Sequence, residues 1–173
     1  DQDERKNKII KKFKYICCTK NFKEIFNNQL IEEVSNIVEN PNILLIEFNK
    51  KYLEIPNEII ISTLESHQRY FPLFDSRDRL TNNFLVVANK SDTKNLIRDG
   101  NKRVVEARLS DAKFFWDKDK SRNLIKQIGK LKKIIFYDKI GTVYDKTIRL
   151  RKLAGLISDE LNINKENLQI AAS

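Results

Sequence analysis

The segment His67-Gln68-Arg69-Tyr70-Phe71-Pro72 gathers an imidazole, an amide and a guanidinium beside two aromatic rings. Such a set suits a nucleobase stacked on a ring with phosphate held by the donors. The competing reading sends Tyr70 and Phe71 into the core and leaves Arg69 and His67 to cap or pair locally. His67, Arg69 and Tyr70 are therefore a possible recognition cluster. A second set is basic. Lys126, Lys130 and Lys133 recur at i, i+4 and i+7, Lys146, Arg149 and Lys152 follow at spacings of three, and Arg103 and Arg108 lie further upstream. Cations on helix faces neutralise phosphates by releasing counterions, without reading sequence. The bland alternative is solubilising charge on exposed faces.

Covalent and metal chemistry find little to work with. The sequence has no glycine-rich phosphate loop, no Gly-x-Ser-x-Gly elbow and no His-Glu-x-x-His. His67 is the single histidine, so no His-based metal cluster forms within the chain, and no catalytic or metal-ligating residue is nominated. Cys17 and Cys18 are adjacent, and a vicinal pair closes on itself only with strain. They read as small apolar residues on a helix in a reducing compartment, inert and cytoplasmic.

The elements that must position these residues follow from periodicity. Asp3 to Thr19 reads as a helix with Ile9, Phe13 and Ile16 inward and Lys8, Lys11 and Lys12 outward. Leu30, Val34, Ile37 and Val38 mark a second helix over 28–39, stopped by Asn40-Pro41-Asn42. Ile43 to Phe48 reads as a buried strand. Pro56 opens a helix that continues from Glu58 to His67. Tyr70–Phe74 and Phe84–Ala88 form a hairpin about the polar loop Asp75-Ser76-Arg77-Asp78. After Asn89 the spacing predicts helices only. Val105, Leu109, Ala112 and Trp116 form one stripe, and Leu124, Ile128, Leu131 and Ile135 a second. Thr142 and Asp145 make a variant capping box before a third, with Ile148, Leu153, Leu156, Ile157 and Leu161 inward.

Charge divides the chain at the same place. Residues 1–92 hold 14 basic and 14 acidic residues, and residues 93–173 hold 19 and 10, so the whole formal charge of +9 lies in the second part. The expectation is an α+β module over 1–92 followed by an all-helical module over 93–173 that faces a polyanion, most naturally nucleic acid. The longest apolar runs are far too short to cross a bilayer, and no membrane partner is expected. The 173 residues contain no methionine and stop at Ala171-Ala172-Ser173 as another helix begins, which reads as an internal piece truncated at its carboxyl end.

Gly100-Asn101-Lys102-Arg103-Val104-Val105-Glu106-Ala107-Arg108-Leu109-Ser110-Asp111-Ala112-Lys113-Phe114-Phe115 closely resembles a block of the bacterial glycyl-tRNA synthetase beta subunit family. The resemblance continues through Lys139-Ile140-Gly141-Thr142-Val143-Tyr144-Asp145-Lys146. It extends upstream to His67–Pro72, to Phe84–Asn89, and to Ile31-Glu32-Glu33-Val34 with Pro41, all in the family's order. Departures are mild: Arg69 stands for the usual Lys, Tyr137-Asp138 for Gln-Glu, and Asn40 for Trp.

That resemblance implies a subunit of a heterotetrameric glycine–tRNA ligase, partnered by the alpha subunit and tRNA(Gly). ATP with Mg would be used by the holoenzyme through the alpha subunit, which activates glycine, and no cofactor is expected in this part. The second module would open an HD-like domain, although the metal-binding signature of typical HD hydrolases is missing from this span. Candidate tRNA contacts are Arg103, Arg108, Lys126, Lys130, Lys133, Lys146 and Arg149. A purely structural or interaction module and an HD-type phosphohydrolase-like domain are the alternatives.

Overall fold

The computed structural model describes residues 1–123 and 125–172. The chain divides into two compact units, Asp1–Asp117 and Lys118–Ser173. This division falls later than the change in charge after residue 92.

The first unit is built on a three-stranded antiparallel sheet of order β1-β3-β2, from β1 (Asn42–Glu47), β2 (Phe71–Phe74) and β3 (Leu80–Ala88). Successive side chains on a strand point to opposite faces. Leu44, Ile46, Phe84 and Val86 therefore lie in one core, while Ile43, Leu45, Leu85 and Val87 belong to the other. On the second face sit α1 (Gln2–Lys20) and α2 (Asn28–Ile37), contributing Ile9, Phe13, Ile16, Cys17, Leu30, Ile31 and Val34. The expected α2 stripe holds for Leu30, Val34 and Val38, but Ile37 is exposed because the helix ends there and Val38 is already extended.

The other face is covered by α3 (Asn57–Ser62), a π-helical turn over Thr63–His67 and α4 (Leu96–Lys120). Val105 and Leu109 of α4 are fully buried against Phe84, Ile60 and Leu64 in the same core. Ala112 packs at its edge, and Trp116, last in the expected stripe, is exposed. Asp92 begins α4: its carboxylate accepts the N–H groups of Ile97 (3.1 Å) and Arg98 (2.9 Å).

Cys17 is buried and Cys18 exposed, with no disulfide between them. Burial pushes the Cys17 thiol up to about 11, and the Glu24 carboxylate adds to the effect.

The second unit is not all-helical. A 3₁₀ helix (Ile125–Lys133) leads into a two-stranded ribbon, β4 (Ile135–Tyr137) paired with β5 (Gly141–Thr142), before α5 (Val143–Leu161) and α6 (Lys165–Ala171). The ribbon turns through Lys139 (φ 64°) and Gly141 (φ 102°), left-handed conformations that end any helix here. Of the expected stripe, Ile128 lies in the 3₁₀ helix and Ile135 in β4, while Leu124 lies outside the described residues. A three-residue turn aligns Ile125, Ile128 and Leu131 instead.

The inward face of α5 also differs from expectation. Thr147, Gly155 and Ser158 are its buried residues, and Gly155 leaves room only for Gln169 and Lys165 of α6. Ile148, Leu153, Leu156, Ile157 and Leu161 are all exposed, at 43% to 61%. Helical period identifies an apolar stripe, and whether anything covers it is a separate matter. Among the described residues no helix is long and apolar enough to cross a membrane.

These burials predict a contrast in stability. Leu109→Ala should cost about 2–5 kcal/mol by chemical denaturation, whereas Leu153→Ala should stay within about 0.5 kcal/mol.

Candidate nucleic-acid interface

The recognition cluster is separated by the π-helical turn. Tyr70 is half-buried, stacks on Phe84 with ring centroids 5.4 Å apart, and donates its hydroxyl to Asn101 Oδ1. Burial pushes its phenol up, partly offset by the nearby Arg108 guanidinium. Arg69 takes the left-handed conformation (φ 59°) and donates Nε to Glu33 and Nη1 to the Ser66 carbonyl. His67 is exposed. A polar hollow of ≈ 270 Å³ is lined by Arg69 with Asn27, Gln29, Leu30, Glu33, Glu65 and Ser66, and neither His67 nor Tyr70 lines it. The three side chains therefore do not converge on one cavity.

The long block that opens at Gly100 is largely a fastening. Asn101 accepts from Tyr70 and donates to the Ile97 carbonyl at 2.7 Å. Glu106 accepts the Asn49 N–H at 2.9 Å. Asn89, closing β3, accepts from the Glu39 and Asn40 N–H groups at 2.8 and 3.3 Å. Arg103 and Arg108 point outward from α4, five residues and hence well over a quarter-turn apart, so they do not share a face. Arg103 Nε donates to the Asp99 carbonyl at 3.4 Å.

In the second unit, helix type regroups the lysines. At three residues per turn, Lys130 and Lys133 share one row while Lys126 lines up with Lys132. The third row is the apolar one. The 3₁₀ helix thus carries basic side chains on two of its three faces. Lys126, Lys130, Lys132 and Lys133 are exposed and make no ion pair among the described residues. Lys132, which spacing alone did not single out, lies 4.7 Å from the Tyr144 ring centroid. Lys146 lies 4.2 Å from that of Phe136, and Arg149 Nη1 donates to the Ile140 carbonyl at 3.4 Å. Ion pairs in the first unit join Lys6 with Glu32, Lys23 with Asp78, Arg79 with Asp75, Arg98 with Asp92 and Lys113 with Glu54, and in the second unit Lys165 pairs with Asp159.

The cap of α5 holds this surface in register. Thr142 Oγ1 accepts the Asp145 N–H at 3.2 Å, and the Thr142 N–H and hydroxyl donate to Asp145 Oδ2 at 2.8 and 2.7 Å. Those hydrogen bonds, with smaller help from Arg149 and Lys132, hold the Asp145 carboxyl below the usual carboxylate range. A Cβ on Gly141 would fall 2.6 Å from Asp145 Oδ2. Among the described residues no three His, Cys, Asp or Glu side chains are placed to hold a metal ion.

Comparison with known proteins defines the class. The family model described as glycyl-tRNA synthetase beta subunit matches residues 1–173. The chain is 42% identical over 171 residues to the glycine–tRNA ligase beta subunit of Dictyoglomus thermophilum, covering 98% of this chain and 25% of that protein. The corresponding subunits of Thermodesulfovibrio yellowstonii and Listeria monocytogenes are 38% and 37% identical, covering 100% and 96% of this chain and 26% and 24% of theirs. The class is therefore that of aminoacyl-tRNA synthetase subunits. Within it, the chain belongs to the glycyl-tRNA synthetase beta subunit family. It spans about a quarter of the length of these relatives.

The cap geometry predicts an acid-sensitive second unit. A carboxyl whose folded pKa is lowered adds stability above its unfolded pKa, and that stability is lost as pH falls through the folded value. Asp145→Asn should flatten this acid limb in a pH series of thermal melts. Gly141→Ala should lower helicity and melting temperature, whereas Gly129→Ala, which meets nothing within 4 Å, should leave both nearly unchanged.

Proposed function

We propose that the chain contributes tRNA binding and subunit architecture to a heterotetrameric glycine–tRNA ligase. In this reading the alpha subunit activates glycine with ATP and Mg, in the cytoplasm, and the second unit opens an HD-like module. The carrying observation is the exposed array of Lys126, Lys130, Lys132 and Lys133, unpaired among the described residues, in a chain of this family. Unpaired ammonium groups are free to displace the counterions condensed on a phosphate backbone, and that release supplies binding free energy. Residues 118–173 hold 13 basic and 6 acidic residues, against 20 and 18 in residues 1–117, so the field of the second unit is strongly positive. Arg103, Arg108, Lys146 and Arg149 are further contacts in this reading, with Arg149 Nη1 already donating to the Ile140 carbonyl.

A structural role is the second reading, and the exposed apolar side chains of α5 favour it. On this account the same unit docks other parts of the enzyme and does not touch RNA.

Salt dependence separates the two. The 173-residue chain should bind tRNA weakly, with log affinity falling linearly in log salt. Changing Lys126, Lys130 and Lys133 together to Gln should reduce the slope by roughly 2–3. An unchanged slope, or no binding at low salt, removes the RNA role and leaves the structural one. The chain alone should give no glycine-dependent ATP–pyrophosphate exchange.

A further inference from the structure

A second basic surface lies on the first unit, where overall charge gave no hint of one. Lys8, Lys11, Lys12 and Tyr15 recur at i, i+3, i+4 and i+7 on α1, which places them on one helix face. The opposite face is the buried one, with Ile9, Phe13, Ile16 and Cys17. Three hollows open along the row, and the one at its amino-terminal end, of ≈ 220 Å³, joins Lys8 to Asp1, Glu4, Arg5 and Glu39. One of ≈ 230 Å³ is lined by Lys8, Lys11, Lys12 and Tyr15. Another of ≈ 320 Å³ shares Lys8 and Lys12 and runs over Pro41, Ile43 and Leu44 towards Ser91.

Tyr15 is 60% exposed, and Lys12 Nζ lies 4.9 Å from its ring centroid. Lys11 and Lys12 make no ion pair among the described residues, and Lys8 donates to the neutral Asn40 Oδ1 at 3.0 Å. The acid lining the larger hollow is Asp92. Its side chain is only 2% exposed and already committed to the start of α4 and to Arg98 at 3.6 Å, so it forms no ion pair with the row.

We propose that this face of α1 binds single-stranded RNA, with a base stacked on Tyr15 and phosphates held by Lys8 and Lys12. An exposed ring flanked by ammonium groups matches the alternation of flat base and charged phosphate along one strand. An acidic peptide offers the charge without a flat ring. The site is separate from the lysine array of the second unit and rests on the reading above only in taking RNA as ligand.

Cys18 supplies the reporter, since it lies three residues beyond Tyr15 and is exposed. Labelling of the 173-residue chain by a neutral maleimide at low salt should slow several-fold with a short oligouridylate. Lys8→Glu with Lys12→Glu should abolish that protection, and Tyr15→Ala should weaken oligonucleotide affinity roughly tenfold. Protection should persist when Lys126, Lys130 and Lys133 are all changed to Glu, so the two surfaces succeed or fail separately. Buried Cys17 should stay unreactive in every variant, which checks that the fold is kept. The proposal is overturned by any of four results: no protection of the parent chain, protection that survives reversal of Lys8 and Lys12, protection lost in the second-unit triple variant, or equal protection by polyglutamate or phosphatidylserine vesicles.

Discussion

Strand β3 is buried on both faces, and the first unit depends on that double burial. Phe84 and Leu85 are consecutive, fully buried and committed to different cores. A one-residue slip in register would exchange the faces and place each side chain against the wrong helices. The register is held by antiparallel pairing to β1 along its whole length, from Asn42 opposite Ala88 to Glu47 opposite Asn83. Asn82 is the polar residue buried within β3, and its amide is satisfied by the Phe48 carbonyl at 2.7 Å and Glu47 at 2.9 Å. A polar group placed there without those partners would oppose folding. With β3 set, α1 and α2 close one side and α4 the other, and Tyr70 links the sheet to α4 through Asn101.

Much of this was legible in the residues. Alternation along 43–48 and 84–88 marked a sheet, and Ile9, Phe13 and Ile16 marked the inward face of α1, because both patterns follow from local geometry. The second unit was less legible for two physical reasons. The sequence over 124–135 fits a period of 3.6 almost as well as a period of 3, so the row Ile125, Ile128, Leu131 competed with Leu124, Ile128, Leu131, Ile135. Local propensity does not separate them. On α5, Leu153, Ile157 and Leu161 have the pattern of a core face, yet small residues make the contacts that bury this helix. Pattern reports what a side chain prefers, and tertiary partners determine whether the preference is met.

The candidate site was legible by residue type more than by grouping. Basic character after residue 92 was visible in composition, and the lysines lie on the surface. Which of them share a face depended on helix type, so Lys132 joined Lys126 and the apparent triplet divided. At His67 to Tyr70 the residues allowed two readings, a recognition cluster or rings packed inward with Arg69 and His67 pairing locally. A π-helical turn and a left-handed Arg69 send those side chains to separate surroundings, a conformation no local spacing announces.

Electropositive surfaces in this chain arise from the placement of acids as well as from the excess of lysine. Asp92 is buried in the start of α4, and Asp145 is drawn back into the cap of α5 by three hydrogen bonds involving Thr142. Each lies beside basic residues it would otherwise help to neutralise, Lys8 and Lys12 in one case and Lys132 and Arg149 in the other. A carboxylate held in a cap still contributes its charge, but it is tethered and does not swing out to a neighbouring ammonium group. Helix capping and phosphate attraction are therefore coupled. Removing a cap would release an acid to pair with the same basic side chains, and the loss of helix order and of anion affinity would appear together.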